Sequence, residues 1–253
     1  MVLKLFPHSW LLIESDQTRI HVDPSYLDRF FENHPERIEF SRGPDGVDGL
    51  PEPMEKADLI LITHGDFDHM NPATIERLRD EHTRVLAPPP CTSSLGGYAD
   101  PVSEGDELTV AGVGIEVVPA YNTPEGLSTN KHHLRGESVG YVISCGGKRV
   151  YHAGDTDLIP EMSELGDLDI AFLPIGGMYT MDIDEAVEAA LRIEPGLAVP
   201  MHTRQQADPH EFVRKLERHG AGIRAIAPAI GEPIVIPERA NSGAKGEAGS
   251  GLD

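Results

Sequence analysis

A continuous apolar run of strand length, "ADLILIT" at residues 57–63, ends in the polar loop "HGDFDHM" at 64–70. A strand that stops in a tight loop points its next few side chains into one cleft, with alternate residues 64, 66 and 68 facing the same way. Asn71 and Pro72 then read as an N-cap with proline in the first turn, which predicts a helix over "ATIERLRDEH" just behind the loop. His64, Asp66, Asp68 and His69 are thereby held between a strand and a helix.

Short apolar runs separated by turns occupy most of the chain. "LKLF", "WLLIE" and "TRIHVD" read as an antiparallel meander ending at Asp23 and Pro24, and residues 41–53, "SRGPDGVDGLPEP", are loop by composition. "TRVLAP", "ELTV", "GIEVVPA", "SVGYVIS" and "KRVYHAG" supply further strands. The last third alternates "LDIAFLP" (strand), "IDEAVEAALRI" (helix), "LAVPMH" (strand) and "PHEFVRKLERHG" (helix). The simplest arrangement is an α/β fold with two mixed sheets face to face and helices outside, a four-layer αββα sandwich in one domain over 1–238. Residues 239–253, small and polar, are expected to be a disordered tail.

Charge narrows the partners. The 253 residues carry 42 acidic against 21 basic groups, a net charge of -21, which argues against nucleic acid or an anionic membrane as a partner. The basic residues are 6 Lys and 15 Arg. High acidity with little lysine suggests a halophile's salt-rich cytoplasm, where such a charge is screened, with an acidic mesophile as the alternative. Cys91 and Cys145 are too few for a disulfide framework. The N-terminal residues do not read as a secretory signal and no apolar stretch reaches membrane-span length, so a cytoplasmic protein acting on a small molecule is expected. Oligomeric state is not legible.

Imidazole and carboxylate together suit zinc, iron or manganese, although a lone histidine on such a loop would be ordinary surface polarity. Two further strand ends carry the same residue types, Asp155 in "RVYHAGDTD" and His202 in "LAVPMHTRQ". With the first loop they resemble the metallo-β-lactamase fold, whose first motif is H-x-H-x-D-H, followed by a third histidine, a bridging aspartate and a last histidine. The phrases "IHVDP", "YHAGDTD", "LPIGGMYTMD" and "AVPMH" resemble a branch of small archaeal and bacterial metal-dependent hydrolases, with L-ascorbate-6-phosphate lactonase a more distant relative.

The resemblance implies two divalent metal ions, zinc by family. His64 and Asp66 would bind the first, Asp68, His69 and His202 the second, and Asp155 both. A metal-held hydroxide would attack a small, anionic ester, lactone or phosphodiester, with Asp68 also serving as its orienting catalytic acceptor. Thr63, Asp23 and Thr156 would steady the loops, or make ordinary structural hydrogen bonds.

Two positions depart from the pattern. Asp66 stands where the family has histidine. Asn122, in "AYNTPEG", stands where the third histidine is expected; His133, just before Leu-Arg-Gly-Glu in "NKHHLRGES", is the expected substitute in the first site, with His132 or Asn122 itself as the alternatives. Two divalent ions bring about +4 of charge, and three aspartates with a hydroxide cancel it, which weakens the Lewis acid and shifts preference toward iron or manganese. Flavodiiron proteins, with H-x-E-x-D-H, are similar in this respect. Iron-dependent redox chemistry, and a non-catalytic binding or scaffold role with a degenerate first site, therefore stand as alternatives. Substrate contacts are expected from Asn122, Arg204, Tyr179 and His8. The glycines of "PIGGMYTMDIDEA" would offer backbone N–H groups to an anion at a helix start, or form a plain turn. His152 is expected to be a packed strand residue.

Overall fold

The computed structural model describes residues 1–15, 18–25, 55–203 and 207–237. The loop expected at 41–53, the tail from 239 and Arg204 lie outside the described residues.

The strands, in chain order, are β1 (Val2–Leu5), β2 (Leu11–Ser15), β3 (Thr18–Val22), β4 (Leu59–Leu61), β5 (Arg84–Ala87), β6 (Asp100–Pro101) and β7 (Glu107–Val110). They continue as β8 (Val113–Pro119), β9 (Val139–Cys145), β10 (Lys148–His152), β11 (Ile170–Pro174), β12 (Leu197–Met201), β13 (Arg224–Ala225) and β14 (Pro233–Ile234). The helices are α1 (Pro72–Leu78), α2 (Pro89–Thr92), α3 (Ile183–Ile193) and α4 (Pro209–His219). Two seven-stranded sheets result, ordered β14-β1-β2-β3-β4-β5-β6 and β13-β12-β11-β10-β9-β8-β7.

The sheets share one plan. In the first, the pairings from β14 through β3 are antiparallel and those from β3 through β6 parallel. In the second, those from β7 through β10 are antiparallel and those from β10 through β13 parallel. It follows that β1, β3 and β4 run in one sense, as do β8, β10, β11 and β12. The loops leaving these strands gather at the carboxyl ends, the edge at which sheets of this kind bind ligands.

Burial explains the composition of β4. Leu59 and Leu61 belong to the main core between the sheets, whereas Ile60 and Ile62 pack with Ile75 and Leu78 of α1 in a second cluster. A strand covered on both faces must be apolar at every position, which is what a continuous run encodes. On the other side, α3 lays Ala186, Val187, Ala189, Ala190 and Ile193 into the main core, completing the layered α/β sandwich. The helix α1 is capped as expected, Asn71 Oδ1 accepting from Ala73 N at 3.0 Å and Thr74 N at 3.2 Å. It stops at Leu78 rather than running to His82, because Asp80 Oδ1 captures the N–H groups of His82 (2.8 Å) and Thr83 (3.2 Å) in a turn that competes with the helix. No helix among the described residues is long and apolar enough to cross a membrane.

Three hydrogen bonds cross between the sheets beside the motif loop. Val139 N donates to Thr63 O (3.0 Å), buried His152 Nε2 to Ser9 O (2.7 Å), and Tyr141 Oη to Ile62 O (2.7 Å). The Tyr141→Phe variant should lose about 1 kcal/mol, because the Ile62 carbonyl stays buried without its donor. Thermal melts should show a drop of about 2–4 °C.

Candidate metal centre

Each residue of the centre follows the carboxyl end of a strand with the shared sense. His8 follows β1, Asp23 follows β3, Thr63 to His69 follow β4, Asn122 follows β8, Asp155 follows β10, Tyr179 follows β11 and His202 follows β12. Three of them bend the chain through positive φ, His8 at 70°, Asp23 at 49° and His202 at 51°. His202 N donates to His8 O at 2.8 Å, joining the two sheets at the cleft.

Asp155 lies at the middle. Its Oδ2 is 3.2 Å from His202 Nε2, 3.6 Å from His133 Nε2 and 3.9 Å from His64 Nε2, while Oδ1 is 3.3 Å from His69 Nε2. Asp66 Oδ2 stands 3.7 Å from His64 Nε2 and 3.6 Å from His133 Nε2. Asp68 Oδ2 is 3.9 Å from His202 Nε2 and accepts a hydrogen bond from His8 Nε2. The His8 ring stacks on His202 with centroids 4.2 Å apart.

The far sides of three rings, those of His64, His69 and His133, are engaged. His64 Nδ1 meets Thr63 Oγ1 at 2.9 Å, the Thr63 hydroxyl donates to Asp23 Oδ2 at 2.6 Å, and His69 Nδ1 reaches the same oxygen at 2.7 Å. Asp23 Oδ1 also accepts from Thr63 N at 2.7 Å. His133 Nδ1 faces Tyr179 O at 3.2 Å. These contacts keep the ring protons on Nδ1 and turn the Nε2 lone pairs of His64, His69 and His133 into the cleft. There the Nε2 atoms of His64, His69, His133 and His202, and Asp155 Oδ1, are buried with no hydrogen-bond partner.

Buried polar atoms are ordinarily satisfied, so five orphans facing one another are the signature of a cation site. Two ligand atoms about 2.1 Å from a shared tetrahedral ion stand about 3.4 Å apart, the range of these separations. The residues fall into overlapping triads with ligand atoms within 4.8 Å, among them His64–His133–Asp155 and His69–Asp155–His202. Electrostatics agree. Burial opposes charge on His69, but Asp155 and Asp23 outweigh it and raise its pKa to about 10. Burial and His202 push His8 down to about 4, so it is neutral at pH 7. The negative potential that raises His69 is the potential that favours a cation in the same place.

The two irregular positions are physically linked. His133 is buried against Asp66 and Asp155, whereas His132 is exposed, its Nε2 3.3 Å from Asp66 Oδ1 at the mouth. Asn122, expected at a metal or substrate, instead turns its whole amide onto the chain. Oδ1 accepts from His132 N (2.9 Å) and His133 N (2.8 Å), and Nδ2 donates to Tyr179 O (2.8 Å), Asp157 Oδ1 (3.1 Å) and Ser128 Oγ (3.3 Å). Buried Asp157 also takes Thr123 N (2.8 Å) and Lys131 Nζ (2.9 Å). Asn122 therefore holds the turn that carries His133. The roles of Asp157 and Lys131 escaped the sequence, where Asp157 was only the last letter of "YHAGDTD".

Thr156 hydrogen-bonds only backbone, to Tyr121 O and Asp157 O and from Tyr121 N. The Tyr179 ring meets His132 edge-on at 5.8 Å. The glycines of "PIGGMYTMD" are not at a helix start, since α3 begins at Ile183 and Asp182 Oδ1 already caps it through Glu185 N at 2.8 Å. Gly176 is required by packing instead, because a Cβ there would lie 2.9 Å from His202 O.

The fold and this cluster define a class. The Beta-lactamase superfamily domain matches residues 2–202, and the chain belongs to that superfamily. It is a metal-dependent hydrolase. A UPF0173 metal-dependent hydrolase of Methanopyrus kandleri is 33% identical over 235 residues, covering 89% of this chain and 95% of that protein. A solved metal-dependent hydrolase of Parabacteroides distasonis is 32% identical with a TM-score of 0.74, covering 90% of this chain and 92% of that one. CmlA, a diiron β-hydroxylase of Streptomyces venezuelae, is similar in fold, with a TM-score of 0.68 at 18% identity over 92% of this chain and 53% of that one.

Proposed function

We propose that the cluster holds two divalent metal ions, the first through His64, Asp66 and His133 and the second through Asp68, His69 and His202, with Asp155 between them. On this reading the protein hydrolyses a small ester, lactone or phosphodiester. The observation that carries it is the convergence of four buried, partnerless Nε2 atoms on Asp155. When bound, such ions lower the pKa of a coordinated water and polarise the bond under attack.

The chain's own groups do the rest. Thr63 and Asp23 fix the rings of His64 and His69 so that both present Nε2. Asp68, steadied by neutral His8, accepts a hydrogen bond from the attacking water and orients it. Asp66 adds an oxygen donor where the family has a nitrogen, which favours iron or manganese over zinc. The same residue supports a second reading, oxygen-dependent redox chemistry, and the fold likeness to a diiron enzyme is compatible with it.

The test is a screen of nitrophenyl esters, lactones and bis(p-nitrophenyl) phosphate with protein loaded with iron, manganese or zinc. Hydrolysis that a chelator abolishes supports the proposal. Turnover that survives metal removal, or reductant-dependent oxygen uptake in place of hydrolysis, contradicts it.

The clamp makes its own prediction. Asn122→Ala should free the His133 turn and weaken metal affinity by about 10- to 100-fold, the usual effect of removing a group that orients a ligand. Metal titration should show the loss in one equivalent and leave the other unchanged.

A further inference from the structure

Three loops meet around the cluster. The motif loop touches the 122–134 loop where Asp66 Oδ1 lies 3.3 Å from His132 Nε2. The 122–134 loop is zipped to the 175–182 loop by Asn130 N to Met178 O (2.7 Å) and Thr129 N to Gly177 O (3.2 Å). Each loop exposes a large apolar side chain next in sequence to a residue of the cluster or its mouth: Phe67 (51%) between Asp66 and Asp68, Leu134 (57%) after His133, and Met178 (43%) before Tyr179. Exposed apolar side chains scattered singly are ordinary, but here three fall on loops joined at one mouth, and such gatherings mark binding surfaces.

Among the described residues, the mouth offers little to an anion. The motif loop and residues 175–182 contain no Lys or Arg. Lys131 is 2.9 Å from Asp157, and Arg135 pairs with Glu104 and, at 2.7 Å, with Glu161. The positive charge of the centre would come from its metals, deep in the cleft. Ligand sites of this kind combine a few convergent polar groups with apolar walls.

We propose that Phe67, Leu134 and Met178 receive an alkyl or aryl group of the substrate while its hydrolysable head enters the cluster. The substrate is thus an amphiphilic small molecule, not a uniformly polar anion. This rests on the metal-hydrolase reading for the head group only.

Straight-chain carboxylates from acetate to octanoate are the probes, titrated calorimetrically into the metal-loaded protein. Affinity should rise about twofold per added methylene, the gain for half-burying each on an open wall, or about sixtyfold from acetate to octanoate. The variant Phe67→Ser/Leu134→Ser/Met178→Ser should keep its metal content and flatten the series to within a few-fold. A flat series in the native protein, no binding of octanoate, or an unchanged slope in the variant overturns the proposal. If the variant loses metal or fails to fold, the native slope alone decides. Turnover is measured separately on the esters, lactones and phosphodiester of the screen: a steep carboxylate series with no chelator-sensitive hydrolysis there sinks the proposed reaction class and leaves the apolar mouth standing.

Discussion

Replacing Asp155 by alanine should reduce bound metal from two equivalents to one or none, and lower kcat/KM by on the order of a thousandfold or more. The carboxylate stands near ligand distance of both halves of the cluster, its Oδ2 facing His64, His133 and His202 and its Oδ1 facing His69. Without it, the two sets of imidazoles lose the anion that they share, Asp66 remaining to His64 and His133 alone, and the several kcal/mol of transition-state stabilisation that metals supply is lost. Elemental analysis and activity on the best substrate of the screen check this together. A variant that keeps both metals would mean that Asp155 is a bystander.

Asp23→Asn should be nearly as damaging although Asp23 touches no cleft atom. Its carboxylate accepts from Thr63 N, Thr63 Oγ1 and His69 Nδ1. An amide of the same shape places N–H groups against one of these donors. With the amide nitrogen in the place of Oδ2, relief requires His69 to give up its Nδ1 proton and carry one on Nε2, the atom that faces the cluster. Metal affinity should fall by about 10- to 100-fold. The metal-stripped native protein should also show a particular pH dependence. His69 is raised from 6.5 to about 10, so its contribution to stability is complete below pH 6.5 and disappears as pH rises through about 10. Denaturant melts between pH 6 and 10 should show that decline in the native protein and a shallower one in Asp23→Asn.

Much of this was legible because it is local. The run of β4, the N-cap at Asn71 and the alternation of strand and helix after β11 each depend on neighbours a few residues away. Asp155 and His202 each stand at a strand end, and the resemblance to the metallo-β-lactamase pattern joins them to the motif loop. What holds His133, the histidine expected in the first site, was not legible for the opposite reason. His133 reaches the cluster because Asn122 holds its turn, and Asn122 is itself held by Asp157 and the carbonyl of Tyr179, far along the chain. No spacing rule encodes such a clamp, so Asn122 looked like a weak ligand or a substrate contact. The plain turn and N-cap read for "PIGGMYTMDIDEA" match Asp182 capping α3, but the reason for Gly176 was not legible, since it lies in the His202 carbonyl just past β12.

The proposed binuclear centre stands or falls with the first half of the cluster, where Asp66 and His133 would take the place of the family's two histidines. Elemental analysis of the native chain beside His133→Ala, with His132→Ala as the control, tests it. Two divalent equivalents in the native chain and in His132→Ala, falling to one in His133→Ala, is the predicted result. One equivalent or none in the native chain, or two retained in His133→Ala, would contradict it.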